Sequence, residues 1–220
     1  ELKLDTDHSG IMILDPSTPV GVPLAEVLNL NDIIFLIDNK SLTHRPDLWG
    51  HYGIAREVSA ILKKPLKPYI IKEFNIPDDE QIKLDIESYD DTPMYGLLYA
   101  KNITRKESPA WLKQKLFKVN QRPISFLVDL TNYIMFDIGE PSHAFDANKL
   151  KKPEIKVRRA TKNEQVITLD GVKRECCEEN LLICDYKNTP VGLAGVMGLQ
   201  NSEIEDDTEA IFLELANFDP

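Results

Sequence analysis

A mixed α/β fold (α+β), helical in places and rich in short strands in its second half, is what this sequence predicts. Three observations carry that prediction. Short apolar runs at 154–158, 181–184 and 210–216 are separated by turn residues. Two other segments, 46–62 and 124–138, repeat apolar residues at helical spacing. Asp170-Gly171 stands between strand-like runs as a hairpin signal.

Taken in order, Ile11-Met12-Ile13-Leu14 stops at Asp15-Pro16 and Ile33-Ile34-Phe35-Leu36-Ile37 stops at Asp38-Asn39, so both read as short strands. Pro46 suits a first helical position and Asp47 a first turn. Leu48, Tyr52, Ala55, Val58 and Leu62 then recur on one helical face until Pro65 and Pro68. Prolines 65, 68, 77 and 93 and the acidic stretch Asp78-Asp79-Glu80 place a domain boundary near residue 80. This leaves a small α+β segment over 1–80 and a larger module over 81–220. Tyr95 to Ile103 alternates as a strand. Ser108-Pro109 reads as an N-cap followed by proline at the first helical position. Residues 124–138 permit alternation, but the run is long for a strand and Gly139 suits a helix stop, so a helix is expected. Strands follow at 154–158, 165–169, 181–184, 191–196 and 210–216.

Composition narrows the class. At 220 residues and 42% hydrophobic content the chain can bury a sizeable core. No apolar run reaches the roughly 18 residues of a membrane helix. The start, Glu1-Leu2-Lys3-Leu4-Asp5, lacks the layout of a signal peptide, and the ends read as cut from a longer protein. The 3 cysteines, Cys176, Cys177 and Cys184, are odd in number and show no metal spacing. A reducing cytoplasm fits, and no metal site is expected. A net charge of −10 repels a phosphate backbone on average, so any nucleic-acid role needs local basic groups or a partner.

Three features could carry chemistry. Glu214 lies in Ile211-Phe212-Leu213-Glu214-Leu215-Ala216, a strand apolar on both faces. It is either a lone carboxylate in apolar surroundings or an edge glutamate reaching solvent or an arginine. Gly192-Leu193-Ala194-Gly195-Val196-Met197-Gly198 lets a ligand or backbone approach closely, or simply supplies strand and turn glycines. It lacks the ending of a phosphate loop. Thr131-Asn132-Tyr133 with Pro141-Ser142-His143-Ala144-Phe145-Asp146 could orient a water or an ester, and His143 with Asp146 hints at an oriented imidazole. No serine or cysteine stands in a nucleophile elbow. His44 and His51, near the first helix, read as surface or cap histidines.

Together these pieces resemble one family. Asp38 to Leu48 with Gly53-Ile54-Ala55-Arg56-Glu57, Arg122-Pro123-Ile124, Val128 to Tyr133, Gly139 to Asp146, Leu169-Asp170-Gly171, Leu193 to Gly198, and Phe212 to Pro220 resemble, in order and spacing, phenylalanyl-tRNA synthetase β subunits around their editing module. The departures are Leu199, where a second glycine often follows Met-Gly, and Glu140, where glutamine is frequent. The resemblance implies the B3/B4 editing-domain fold and hydrolysis of tyrosine wrongly attached to tRNA(Phe). It places Arg122, Thr131, Asn132 and His143 at pocket positions around the terminal adenosine and ester, Ala194 and Gly195 in a backbone wall, and Glu214 as the carboxylate recognising the tyrosine hydroxyl. His143, Thr131 and Asn132 are thus expected to be catalytic. Arg122, Ala194, Gly195 and Glu214 are expected to bind substrate. Glu214 and His143 are expected to face one another across one pocket. No cofactor is implied for this segment, ATP and magnesium belonging to the whole synthetase. The implied partners are the α subunit, the rest of the β subunit and the acceptor end of tRNA(Phe), with no membrane. Two other readings remain: a freestanding deacylase acting in trans, and a non-catalytic scaffold.

Overall fold

The computed structural model describes residues 10–14, 16–73, 82–104 and 107–219. Asp15, Pro77, the acidic stretch 78–80, the boundary near residue 80 and both chain ends lie outside them. Among the described residues the helices are α1 (Leu24–Val27), α2 (His51–Leu62), α3 (Ala110–Lys118), α4 (Phe126–Ile138) and α5 (Ala147–Leu150). The strands are β1 (Lys83–Ile86), β2 (Met94–Ala100), β3 (Ser142–Asp146), β4 (Glu154–Arg159), β5 (Glu164–Ile167), β6 (Lys173–Cys176), β7 (Leu181–Cys184), β8 (Pro190–Leu193), β9 (Met197–Gly198) and β10 (Ile211–Asn217). The mixed α+β class is as the sequence predicts.

By contacts within the chain, two compact units form, Glu1–Ile54 with Arg105–Gly139 and Ala55–Thr104 with Glu140–Pro220. The partition is not linear in sequence. β2 pairs with β10, so residues on either side of α3 and α4 belong together.

The first unit is helical. α4 follows the predicted apolar face and stops where Gly139 turns left-handed at φ 87°, its N–H donating to the Met135 carbonyl. Near its start sits Asp129, a carboxylate buried at 1% exposure. The Ser108 hydroxyl donates to it at 2.5 Å and the Ile124 N–H at 2.7 Å. Ser108 is therefore not the N-cap expected of it. α3 begins after Pro109, and the serine instead joins the α3 entrance to α4. Trp111 and Tyr133 pack edge to face at 5.5 Å between these helices. The expected helix from Pro46 is broken in two, a 3-10 turn over Pro46–Trp49 and then α2, with the extended Gly50 between them. The His51 ring nitrogen Nδ1 lies at hydrogen-bond distance, 2.7 Å, from the Phe136 carbonyl, consistent with a structural histidine.

The strands expected at 11–14 and 33–37 do not form. Ile33, Phe35 and Leu36 are 75%, 80% and 95% exposed. A strand needs a partner edge for its backbone groups, and none of the described residues supplies one here.

The second unit holds the sheets. Five strands run in the order β1-β4-β7-β8-β9, three in the order β2-β10-β3, and β5-β6 form a hairpin. Among the described residues only β1 and β4 pair in parallel. The hairpin turns where Asp170-Gly171 predicts. β2 ends earlier than the expected Ile103, before Asn102 takes a left-handed conformation at φ 61°. β8 stops at Leu193 rather than Val196, because the chain turns back at once into β9. The core of this unit gathers Phe145, Leu150, Ile155, Val157, Ile183 and Phe212. Each such side chain contributes roughly 1.5–3 kcal/mol through burial.

Candidate functional site

β10 is the middle strand of its sheet, hydrogen-bonded on one side to β2 and on the other to β3. Its alternation sends Phe212, Glu214 and Ala216 to one face. In register, Glu214 stands opposite Leu97 of β2 and His143 of β3. Tyr95 stands opposite Ala216, and Phe145 opposite Phe212. Paired residues share a face. Tyr95, Leu97, Glu214, His143 and Phe145 therefore project from one side of the sheet. A central strand has no free edge, so the edge-glutamate alternative is closed. Glu214 is 6% exposed, and its Oε1 has no hydrogen-bond partner among the described residues.

A cavity of about 220 Å³ opens on this face. Glu214, His143, Leu193, Gly195, Met197 and Phe218 are among its lining residues. His143 and Glu214 thus reach one cavity, as expected, but they do so as neighbours on adjacent strands. They flank each other along one wall instead of facing across it.

The glycine-containing run frames the other side. β8 and β9 pair with Gly192 opposite Gly198. A Cβ at Gly198 would fall 2.5 Å from His143 Cε1 and 2.6 Å from its Nε2, closer than real Cβ contacts come. The imidazole therefore rests on bare backbone. Its other side meets the Phe145 ring edge-on at 4.6 Å. Gly195, at φ 68°, makes the turn between β8 and β9. The flanking amides are engaged: Ala194 N–H donates to the Leu181 carbonyl and Val196 N–H to the Leu193 carbonyl, both at 3.0 Å. Gly195 N–H has no acceptor among the described residues. Ala194 packs on the core, while Gly195 lines the cavity.

Burial governs the charges. Desolvation pushes the Glu214 carboxyl up to about 7, against a smaller lowering by the Tyr95 hydroxyl. The Tyr95 phenol is held well above its ordinary value by burial and by the Glu214 charge. Tyr95 and Glu214 share one face of adjacent strands, one pair apart, although the Tyr95 hydroxyl stops short of hydrogen-bond geometry with any described residue. Burial lowers His143, which favours its neutral imidazole. The His143 Nε2 also has no partner among the described residues. Asp146 does not orient it. That carboxylate caps α5 through Asn148 N–H and accepts from the Thr208 hydroxyl at 2.7 Å. Three residues along a strand, it faces away from His143.

The other expected site residues lie in the helical unit. Thr131, in the middle of α4, donates its hydroxyl back to the Val128 carbonyl at 2.8 Å. Its neighbour Asn132 is half-buried, and Arg122 is exposed on the stretch leading to α4. Tyr95 was not among the expected site residues. The strand alternation that pairs Tyr95, Leu97 and Tyr99 on one face was the available signal.

Comparison with known proteins identifies the family. Residues 91–220 match the family model of the B3/4 domain. The chain belongs to the B3/4 domain family. Over the whole of its length the B3/4 chain is also similar to longer proteins. It is 41% identical over 214 residues to the phenylalanine–tRNA ligase β subunit of Carboxydothermus hydrogenoformans, covering 96% of this chain and 26% of that protein. It is 40% identical over 222 residues to the same subunit of Fusobacterium nucleatum, covering 100% of this chain and 27% of that one. It therefore spans about a quarter of the length of these relatives. A solved N-terminal fragment of the phenylalanyl-tRNA synthetase β subunit from Pyrococcus horikoshii superposes with a TM-score of 0.47 at 18% identity, covering 83% of this chain and 55% of that chain.

Among the described residues no helix is long and apolar enough to cross a membrane, and no group of three or more metal-ligating side chains converges.

Proposed function

We propose that this chain is the editing part of a phenylalanine–tRNA ligase β subunit, and that its cavity hydrolyses tyrosine from mischarged tRNA(Phe). The observation that carries this reading is the buried Glu214 carboxyl, whose Oε1 has no partner among the described residues, in a cavity lined by aromatic and glycine residues. Tyrosine and phenylalanine differ by one hydroxyl. A site built to bond that hydroxyl rejects the analogue lacking it by about 10⁴–10⁵, because phenylalanine leaves the polar group buried and unpaired. Glu214 supplies such a group. Proteins that bear the β-subunit name match 96% and 100% of this chain, which agrees with the reading.

The chemistry asked of the protein is modest. An aminoacyl ester is already activated. Water adds to its carbonyl carbon, negative charge develops on the carbonyl oxygen, and the ribose oxygen leaves with a proton as the amino acid is freed. Gly195 N–H is available to bond the developing oxyanion. His143, largely neutral, can orient water or ester. Arg122, Thr131 and Asn132 are assigned to the surroundings of the terminal adenosine and ester on family position alone. The net charge of −10 makes the α subunit and the rest of the β subunit the expected source of tRNA affinity, in the cytoplasm. ATP and magnesium are expected for aminoacylation by the whole ligase, and no cofactor is assigned to this segment.

Deacylation of Tyr-tRNA(Phe) and Phe-tRNA(Phe), by the chain and by the whole ligase, tests the proposal. The tyrosyl ester is cleaved faster, and Glu214→Ala abolishes that preference. A Glu214→Ala protein that still prefers tyrosine refutes the role given to the carboxylate. A chain inactive alone but active within the whole ligase places the activity in the assembly.

A further inference from the structure

Among the described residues β2 presents two polar side chains on the face of Glu214, Tyr95 and Tyr99, and Tyr99 stacks on Phe212 at 5.0 Å, which leaves Tyr95. It projects on the same face, one pair along, opposite Ala216. Its ring packs edge-on to Phe218 at 6.4 Å, and Phe218 in turn covers Gly195 and lines the cavity. Its hydroxyl is buried and, among the described residues, lacks a bonding partner. Buried tyrosine hydroxyls ordinarily have one. Here the Tyr95 hydroxyl and the Glu214 Oε1, on one face of adjacent strands, both stand without a partner among the described residues, and Glu214 lines the cavity. A purely structural tyrosine at this position gains nothing from the hydroxyl over phenylalanine and leaves a buried donor unpaired.

We propose that Tyr95 is a positioning residue for hydroxyl selection: its phenol donates to one side of the Glu214 carboxyl and leaves the other side to accept the hydroxyl of the incoming aromatic side chain. This rests on reading the cavity as a phenol-selecting site. The carboxyl then lies between two phenols, one belonging to the protein and one to the ligand. A donor on one oxygen holds the carboxyl's rotation and favours its ionised, accepting form. The groups around Glu214 allow little else to do this. On β2 Leu97 stands opposite it with Tyr95 one pair along and Tyr99 one pair the other way, on β3 His143 stands opposite it, and the remaining cavity lining is without further titratable side chains among the described residues. His143 is disfavoured as a cation by its own burial.

Tyr95→Phe removes the hydroxyl and keeps the ring on Phe218. Two readouts follow. The first is independent of editing: the Glu214 side-chain carboxyl is titrated by ¹³C NMR in wild type and variant. The Tyr95 hydroxyl lowers this carboxyl, so its loss moves the titration above the wild-type value near 7. The second is the ratio of tyrosyl to phenylalanyl ester deacylation across pH. In Tyr95→Phe the ratio falls roughly tenfold at neutral pH, with the phenylalanyl rate unchanged. In a Glu214→Gln background the same substitution changes the ratio no further. An unmoved carboxyl titration overturns the proposal, as does a moved titration with an unchanged ratio or an equal effect in the Glu214→Gln background. If wild type shows no tyrosine preference, the reading of the cavity as phenol-selecting has failed, and selection by Tyr95 fails with it. The titration still shows whether the two groups touch. Should Tyr95→Phe not fold, the Tyr95 ring-carbon shift of wild type from pH 5 to 9 decides. A step tracking the Glu214 titration is expected, and a flat trace overturns the contact.

Discussion

A single carboxylate in the middle of a sheet sets the character of this site. Glu214 is costly to bury, and burial raises its folded-state value from the ordinary 4.5 to about 7. The consequence for stability has a definite sign. The unfolded chain releases this proton near 4.5 and the folded chain near 7, so the native state holds more protons between those values. Its contribution is fully present below pH 4.5 and is lost as pH rises through 7. The loss amounts to about 3 kcal/mol at pH 8. Glu214→Gln keeps the shape and removes the charge. Denaturant unfolding is expected to find the variant more stable than wild type at pH 8, with that advantage shrinking toward pH 5. Equal differences at both pH values would mean that the carboxyl is not desolvated in solution. Some of this was legible in advance. Apolar neighbours at 212, 213, 215 and 216 mark a strand buried on both faces. They do not reveal whether the strand is central or at an edge, because that depends on residues 94–100 and 142–146 pairing across long separations.

At the scale of elements, the sequence is legible where one segment decides its own state and silent where a distant partner decides. The helix at Phe126–Ile138 and the turn at Asp170-Gly171 are local matters of periodicity and left-handed glycine. The runs at 11–14 and 33–37 have strand composition, yet a strand is a property of two segments, and none of the described residues pairs with them. Ser108 has the chemistry of a cap and is drawn instead to Asp129, 21 residues on. The sequence likewise suggests pairing the imidazole with Asp146, three residues on. The fold gives Asp146 to α5 and Thr208, and sets His143 beside β9. This last contact can be tested. Gly198→Ala must push the ring away, because its Cβ would lie 2.5 Å from Cε1. We expect a loss of at least about tenfold in deacylation with the global fold retained, since small misplacements of positioning groups are costly. A wild-type rate together with an unshifted His143 resonance would show that the ring has room the structure denies it.

For the whole molecule, charge is the dominant consideration. A net −10 spread over 220 residues opposes an RNA backbone beyond the reach of a few local contacts. The chain covers about a quarter of the relatives it matches, 26% and 27% of the two compared, so most of a homologous subunit's surface lies elsewhere. We therefore expect this chain by itself to bind tRNA(Phe) feebly at physiological ionic strength, at or above the roughly 10⁻⁴–10⁻⁶ M range of non-specific association with nucleic acid. Filter binding or fluorescence anisotropy measures this directly. Submicromolar affinity at 0.15 M salt would mean that a basic surface overrides the average. Family membership was readable from the order of the motifs, because each is short but their succession is not. The two interleaved units were not, since no composition shift marks where a chain leaves a sheet and later returns to it.

The meeting of His143 with Gly198 also bears on heredity. Two positions 55 residues apart in sequence occupy one volume, so neither is free to drift alone. A lineage that acquires any side chain at 198 must first shrink or relocate the residue at 143, and one that loses the imidazole releases 198 to vary. In a collection of related sequences the two should change as a pair, whatever chemistry the cavity has come to serve.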